Sequence, residues 1–210
     1  EELSACYNLL GTLYDDLKEP ILAIEAYEKA IESRPDEWYN YSDLGYLYYT
    51  LVENRDKPSE FDITLLNLSL ENLLLSTKKS PDPYYKDYFF IGSIYNIFNQ
   101  HNKSIEYLSK SLSYEPDMDV VFKAIYWRRS QSYWSNGDNW SAIGDLTKCL
   151  DYCSESSDRQ EVYWFRAFYK LKSGDITGYC NDLYQANKLK PNDFFKEKIK
   201  ASGCKKYISK

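Results

Sequence analysis

The chain has 210 residues, of which 43% are hydrophobic, 17% aromatic and 28% charged, with a formal net charge of −6. So many rings exclude a disordered chain, and the acidic balance excludes a general nucleic-acid binder, which needs a basic face to displace counterions. No apolar run approaches the roughly 18 residues of a membrane span, so none is expected.

Helical signals begin at once. Between Ser4 and Glu37, small residues stand at Gly11, Ala23 and Ala30, and apolar or aromatic ones at Tyr7, Leu10, Tyr14 and Tyr27. Pro20 fits the first turn of a second helix, where its missing N–H costs nothing, and Pro35 stops that helix. The pattern predicts helices over about 4–17 and 19–33, drawn together by the small residues. Enlarging Gly11 to Leu is expected to overpack the contact, at about 1–3 kcal/mol. The spacing aromatic-x-x-Leu-Gly-x-x-Tyr, followed by Ala, Tyr, Ala and Pro, resembles the tetratricopeptide-repeat family, whose repeats are helix hairpins of about 34 residues. The resemblance implies an all-α fold: a right-handed α-solenoid of helix-turn-helix repeats with a C-terminal capping helix.

The register of this first repeat, about 4–37, divides the rest of a single 210-residue domain. A second repeat, 38–83, keeps Tyr41, Leu44, Gly45 and Tyr48, then carries an insert at 53–64 before Ser69, Leu73, Ser76 and Pro81. The charged insert with Pro58 reads as a longer first helix and an exposed turn. A third repeat, 85–118, has Tyr88, Ile91, Gly92 and Tyr95, then Ser104, Leu108, Ser111 and Pro116; His101 falls near its turn. In the fourth, 123–156, Arg129 and Ser130 replace Leu and Gly, Gly137-Asp138 supplies the turn, Cys149 takes a small-residue position, and the polar run 154–160 is expected between repeats. The fifth, 160–193, has Tyr163, Ala167, Gly174-Asp175, Leu183, Ala186 and Pro191, with Tyr179 where Ala is usual. A capping helix is expected over 194–206, its Phe194, Phe195 and Ile199 covering the last repeat and its lysines in water.

The five cysteines, Cys6, Cys149, Cys153, Cys180 and Cys204, show no compact metal-binding spacing, and His101 is the one histidine. Cys149 and Cys153 share a helix face, but two ligands do not hold a structural metal. No Gly-rich phosphate loop and no nucleophile with a base are present, so neither enzymatic activity nor a cofactor is expected. The fifth repeat and tail also resemble the ends of bacterial tetratricopeptide proteins, in which Gly-x-Cys-x-Asp-Leu precedes a last helix ending near a Cys; Gly178, Cys180, Asp182, Leu183 and Cys204 correspond here. A Cys180–Cys204 bridge requires a compartment outside the cytoplasm, where thiols are not kept reduced. The compartment stays open: a cytoplasmic protein is the first expectation, and a periplasmic or secreted one follows if a signal peptide preceded Glu1.

By the family resemblance, the first helix of each repeat lines a concave face, and a protein or peptide partner is expected along it. The residues placed there are Tyr46, Tyr49, Phe89, Asn96, Trp127, Arg128, Gln131, Trp134, Trp164 and Phe168, additional to the rings that hold the repeats together. Rigid aromatics with a few polar neighbours are typical of recognition surfaces, and Arg128 suits a carboxylate or a stacked ring. Chaperone-binding members grip a C-terminal carboxylate with Lys and Asn, where this chain has Asn8 and Thr12, so that clamp is absent. A small ligand or a glycan stacked on Trp127, Trp134 and Trp164, or a structural module of a larger assembly, are the alternatives. Oligomeric state is not encoded in these patterns.

Overall fold

The computed structural model describes residues 2–52, 58–114 and 118–204, among which there are eleven helices and no strand. They divide into two compact units, one ending at Phe98 and one starting at Asn99. The N-terminal unit holds α1 (Glu2–Asp16), α2 (Pro20–Ser33), α3 (Trp38–Thr50), α4 (Glu60–Lys79) and α5 (Tyr85–Ile97). The C-terminal unit holds α6 (His101–Ser113), α7 (Asp119–Ser135), α8 (Asn139–Asp151), α9 (Ser156–Lys172), α10 (Ile176–Leu189) and α11 (Asp193–Ala201). In each unit consecutive helices pack as hairpins, and each hairpin leans on the next. This is the all-α, helix-pair solenoid architecture that the repeats imply.

Small residues set the hairpin spacing. A methyl group on Gly11 would come within 2.7 Å of the Tyr27 ring, and one on Gly45 within 2.8 Å of Leu73 Cγ. The equivalents of Ala23 and Ala30 in α4 and α6 are serines whose hydroxyls need partners once buried. Ser69 donates to Gly45 O at 2.7 Å, Ser76 to Asp87 at 2.6 Å, and Ser104 pairs with Ser132 at 2.7 Å. The hairpin turns share one conformational demand. Lys18, Gly137 and Gly174 sit at positive φ between the helices of a pair, and Asp138 and Asp175 then cap α8 and α10 through their carboxylates.

Several expectations are corrected. Helix α3 is not lengthened by the insert; it ends at Thr50, and the described part of the insert instead extends α4 to 20 residues. The cause is a capping box, in which Ser59 and Asp62 exchange hydrogen bonds with each other's backbone N–H. Residues 53–57 and Pro116 lie outside the described residues. The run 154–160 is mostly helix, because Arg159 turns back to donate to Leu150 O and Cys153 O and satisfies the end of α8. Gln160 does the same for α10 through Ala186 O and Lys190 O. His101 is the first residue of α6 and half-buried rather than an exposed turn residue. Leu10 is 37% exposed instead of filling the hairpin.

At the C-terminus α11 packs on α10, with Phe195 buried and Trp164 of α9 against both Phe194 and Phe195. Cys180 and Cys204 form a disulfide that ties the segment after α11 to α10. Expected residues 205 and 206 of the cap lie outside the described residues. Tyr179, in its unusual position, is buried with its hydroxyl 3.0 Å from Ser202 Oγ, so it reaches the cap rather than displacing a helix.

Candidate interaction surfaces

In the C-terminal unit, α7 and α9 open a cleft of about 360 Å³. Helical spacing explains its walls: Lys123, Trp127, Arg128 and Gln131 stand at i, i+4, i+5 and i+8 on one face of α7, and Asp158, Glu161 and Val162 at i, i+3 and i+4 on α9. The Trp127 edge meets Phe165 at 4.9 Å, forming an aromatic side to the cleft. Lys123 and Asp158 are ion-paired across it. At the floor Cys149 is fully buried, with its thiol donating to Lys123 O at 3.5 Å. Burial, with Cys153 beside it, pushes the Cys149 thiol far up, and burial also raises Cys153. For both, burial favours the protonated thiol. Among the described residues no group of three or more His, Cys, Asp or Glu could hold a metal.

Behind the cleft runs a ladder of buried ion pairs. Arg129 makes a bidentate contact with Asp145, 2.8 Å on both arms, and a third bond to Ser109. Arg166 repeats it with Asp182 at 2.8 and 2.7 Å and with Thr147 at 3.0 Å, and Lys170 joins Asp182. The guanidiniums lie near Tyr126, Tyr133 and Tyr163. These pairs hold α7 on α8 and α9 on α10, and so fix the two helices that form the cleft.

Not all residues expected on the recognition face come together. Trp127, Arg128 and Gln131 line the cleft. Trp134 stacks flat on Tyr169 at 4.2 Å and touches Phe168 at 5.6 Å, while Trp164 is engaged by the cap. The three tryptophans therefore do not share one stacking platform. In the N-terminal unit Tyr46, Tyr49 and Phe89 gather around Phe90, at 5.0, 4.9 and 5.1 Å. Tyr46 is exposed, but Tyr49 is only 2% accessible and belongs to the core, because Phe90 lies over it. Asn96 is half-buried further along α5. Asn8 and Thr12 are spent internally, on Asp43 and on Asn8 O and the Tyr27 hydroxyl. Sequence reasoning missed Lys123, Asp158 and Glu161 as cleft residues; the signal was an opposite-charge pair one repeat apart.

The sequence model described as Tetratricopeptide repeat matches residues 4–37 and 88–118. No curated protein sequence matches the chain. Solved structures are similar throughout its length. MamA from Desulfovibrio magneticus RS-1 superposes with a TM-score of 0.70 at 11% identity, covering 96% of this chain and 97% of its own. YrrB, described as a TPR protein with an unusual peptide-binding site, gives 0.72 at 11% identity over 93% and 90%. PilW, a type IV pilus biogenesis factor, gives 0.65 at 14% identity over 99% and 89%. At such identities the likeness is one of fold.

Proposed function

We propose that this chain is a protein-interaction scaffold of the tetratricopeptide-repeat kind and binds a peptide segment of its partner in the α7–α9 cleft. The observation that carries the reading is the cleft itself: an indentation of about 360 Å³ with a tryptophan wall and polar groups of both signs. It matches the size and mixed character of sites that take a side chain and fix its backbone. The bidentate pairs behind it pre-position the walls, so little ordering is needed on binding. YrrB, which shares the fold, is described as having a peptide-binding site, and this agrees with the reading. The Tyr46, Phe89 and Phe90 cluster is a second aromatic surface on the N-terminal unit for the same class of partner.

A displayed random-peptide library selected on the folded protein tests this. Selected peptides are expected to quench tryptophan fluorescence. They are expected to bind the double variant Trp127→Ala, Arg128→Ala at least tenfold more weakly, since aromatic and Arg anchors dominate such contacts. Circular dichroism should be unchanged in that variant. Equal binding to both proteins would remove the cleft from consideration.

A further inference from the structure

The α7–α9 cleft does not end at Lys123. The same side chain walls a second, smaller cavity of about 160 Å³, lined also by Asp119 and Val120 of α7 and by Asp151, Tyr152 and Cys153 at the end of α8. Asp119, Lys123, Trp127 and Gln131 stand four residues apart on α7, so the two cavities follow one face of that helix for about 18 Å. Their characters differ. The larger offers Trp127, Val162 and Cys149 to an apolar side chain. In the smaller, the exposed carboxylates of Asp119 and Asp151 accompany Val120 and the Tyr152 ring, which stacks on Phe122 at 4.8 Å. Lys123, the cation in this lining, is committed to Asp158. Lys148 reaches Asp151 at 3.9 Å with both side chains 64% exposed, a contact too loosely held and too screened to satisfy it.

We propose that the two cavities form a two-point site for an extended, basic peptide segment of the partner. An apolar side chain enters the larger cavity beside Trp127; a Lys or Arg enters the smaller one, its stem along Val120 and Tyr152 and its charge at Asp119 and Asp151. This inference rests on the reading of the cleft as the peptide site. Long basic side chains suit such a cavity, because their methylenes cover apolar walls while the charged head stays at the wet, acidic rim. The spacing follows from the helix. Asp119 and Trp127 are eight residues apart, about 12 Å along the axis, which an extended chain spans in roughly four residues. At that separation both side chains leave the same side of the strand. The chain's net charge of −6 favours the approach of a basic segment.

The experiment is a displayed random-peptide library selected in parallel on the whole wild-type chain and on Asp119→Asn, Asp151→Asn. Both carboxylates are exposed, so circular dichroism should be unchanged in that variant. Wild-type selection is expected to enrich Lys or Arg roughly four residues from an apolar residue. The variant should keep the apolar preference and lose the basic one, and Asp119→Lys, Asp151→Lys should replace it by Asp or Glu. A fluorescein-labelled peptide from the wild-type selection should bind Asp119→Asn, Asp151→Asn about fivefold more weakly in anisotropy, as two exposed ion pairs allow, and the difference should shrink at high salt. Enrichment without a basic residue at that spacing, or a basic preference unchanged in the variants, overturns the inference and leaves the cleft as a peptide site. Failure to enrich any peptide, or enrichment undiminished on Trp127→Ala, Arg128→Ala, removes the cleft itself and this inference with it.

Discussion

Asp87 is 1% exposed, and its carboxylate is satisfied by two hydroxyls, those of Ser42 and Ser76, each at 2.6 Å. Burial raises its pKa above the ordinary carboxylate value, against the lowering effect of both hydrogen bonds. A raised folded-state pKa means that the fold holds the proton more tightly than the unfolded chain does. The resulting stability is fully present below the unfolded pKa of about 3.9 and is lost as pH rises through the folded value. Asp87→Asn keeps an acceptor for Ser42 and gives Ser76 a donor without the buried charge. It is expected to raise the urea midpoint at pH 7, with the gain shrinking toward pH 4; a gain independent of pH would refute the buried-charge account. A second single-residue effect lies at Lys18, which has φ of 62° where Gly137 and Gly174 take the equivalent turns. An L-residue there costs roughly 1–2 kcal/mol, so Lys18→Gly is expected to stabilise by about 1 kcal/mol in thermal denaturation. No stabilisation would mean that Lys18 relaxes this strain through contacts of its own.

At the scale of elements, the hairpin contacts were legible because they depend on residue size at fixed positions. Gly45 is the clearest case: an added methyl would meet Leu73 Cγ at 2.8 Å and its backbone N at 3.2 Å. Since backbone cannot yield as a side-chain tip can, Gly45→Ala is expected to destabilise by about 1–3 kcal/mol, read from denaturant midpoints. The substitution of Leu by Arg129 was equally visible in sequence, but its partner was not, because Asp145 lies on the other helix and pairs with it only once the hairpin closes. The pair is well shielded, with Arg129 16% and Asp145 8% exposed. Restoring the signature by Arg129→Leu is therefore expected to destabilise by roughly 3–5 kcal/mol, leaving Asp145 uncompensated. Adding Asp145→Leu should recover most of that loss. Failure of the double variant to recover would show that Ser109 and the flanking tyrosine rings, not the ion pair, require the arginine. Helix ends were the least legible feature for the same reason. Nothing local announces that Arg159 reaches back to a carbonyl at the end of α8, or that Gln160 reaches forward to one near the end of α10.

At the scale of the whole chain, the period gave the order of helices, since each repeat needs its neighbour to bury a face. It gave the recognition face less well, because packing between neighbouring first helices decides which rings remain accessible. Tyr49 and Trp164 show the difference, one buried beneath Phe90 and the other covered by the cap. That cap is the last test of the solenoid. Helix α11 has nine residues, fewer than the roughly 12–15 at which an isolated helix is even marginal, so tertiary contacts must hold it. They are Phe195 in the core, the Tyr179–Ser202 hydroxyl pair and the Cys180–Cys204 bridge across 24 residues. A bridge closing a loop of this size contributes about 3 kcal/mol by constraining the unfolded chain. Cys180→Ser with Cys204→Ser is therefore expected to lower the stability of the C-terminal unit by about that amount. Amide exchange in α10 and α11 should accelerate, while exchange in α1 to α4 stays unchanged. Alkylation of the wild-type protein at these two cysteines should require prior reduction. Labelling of both without reductant, or unchanged exchange in the double variant, would leave Phe195 and the hydroxyl pair as the sole anchors of the cap.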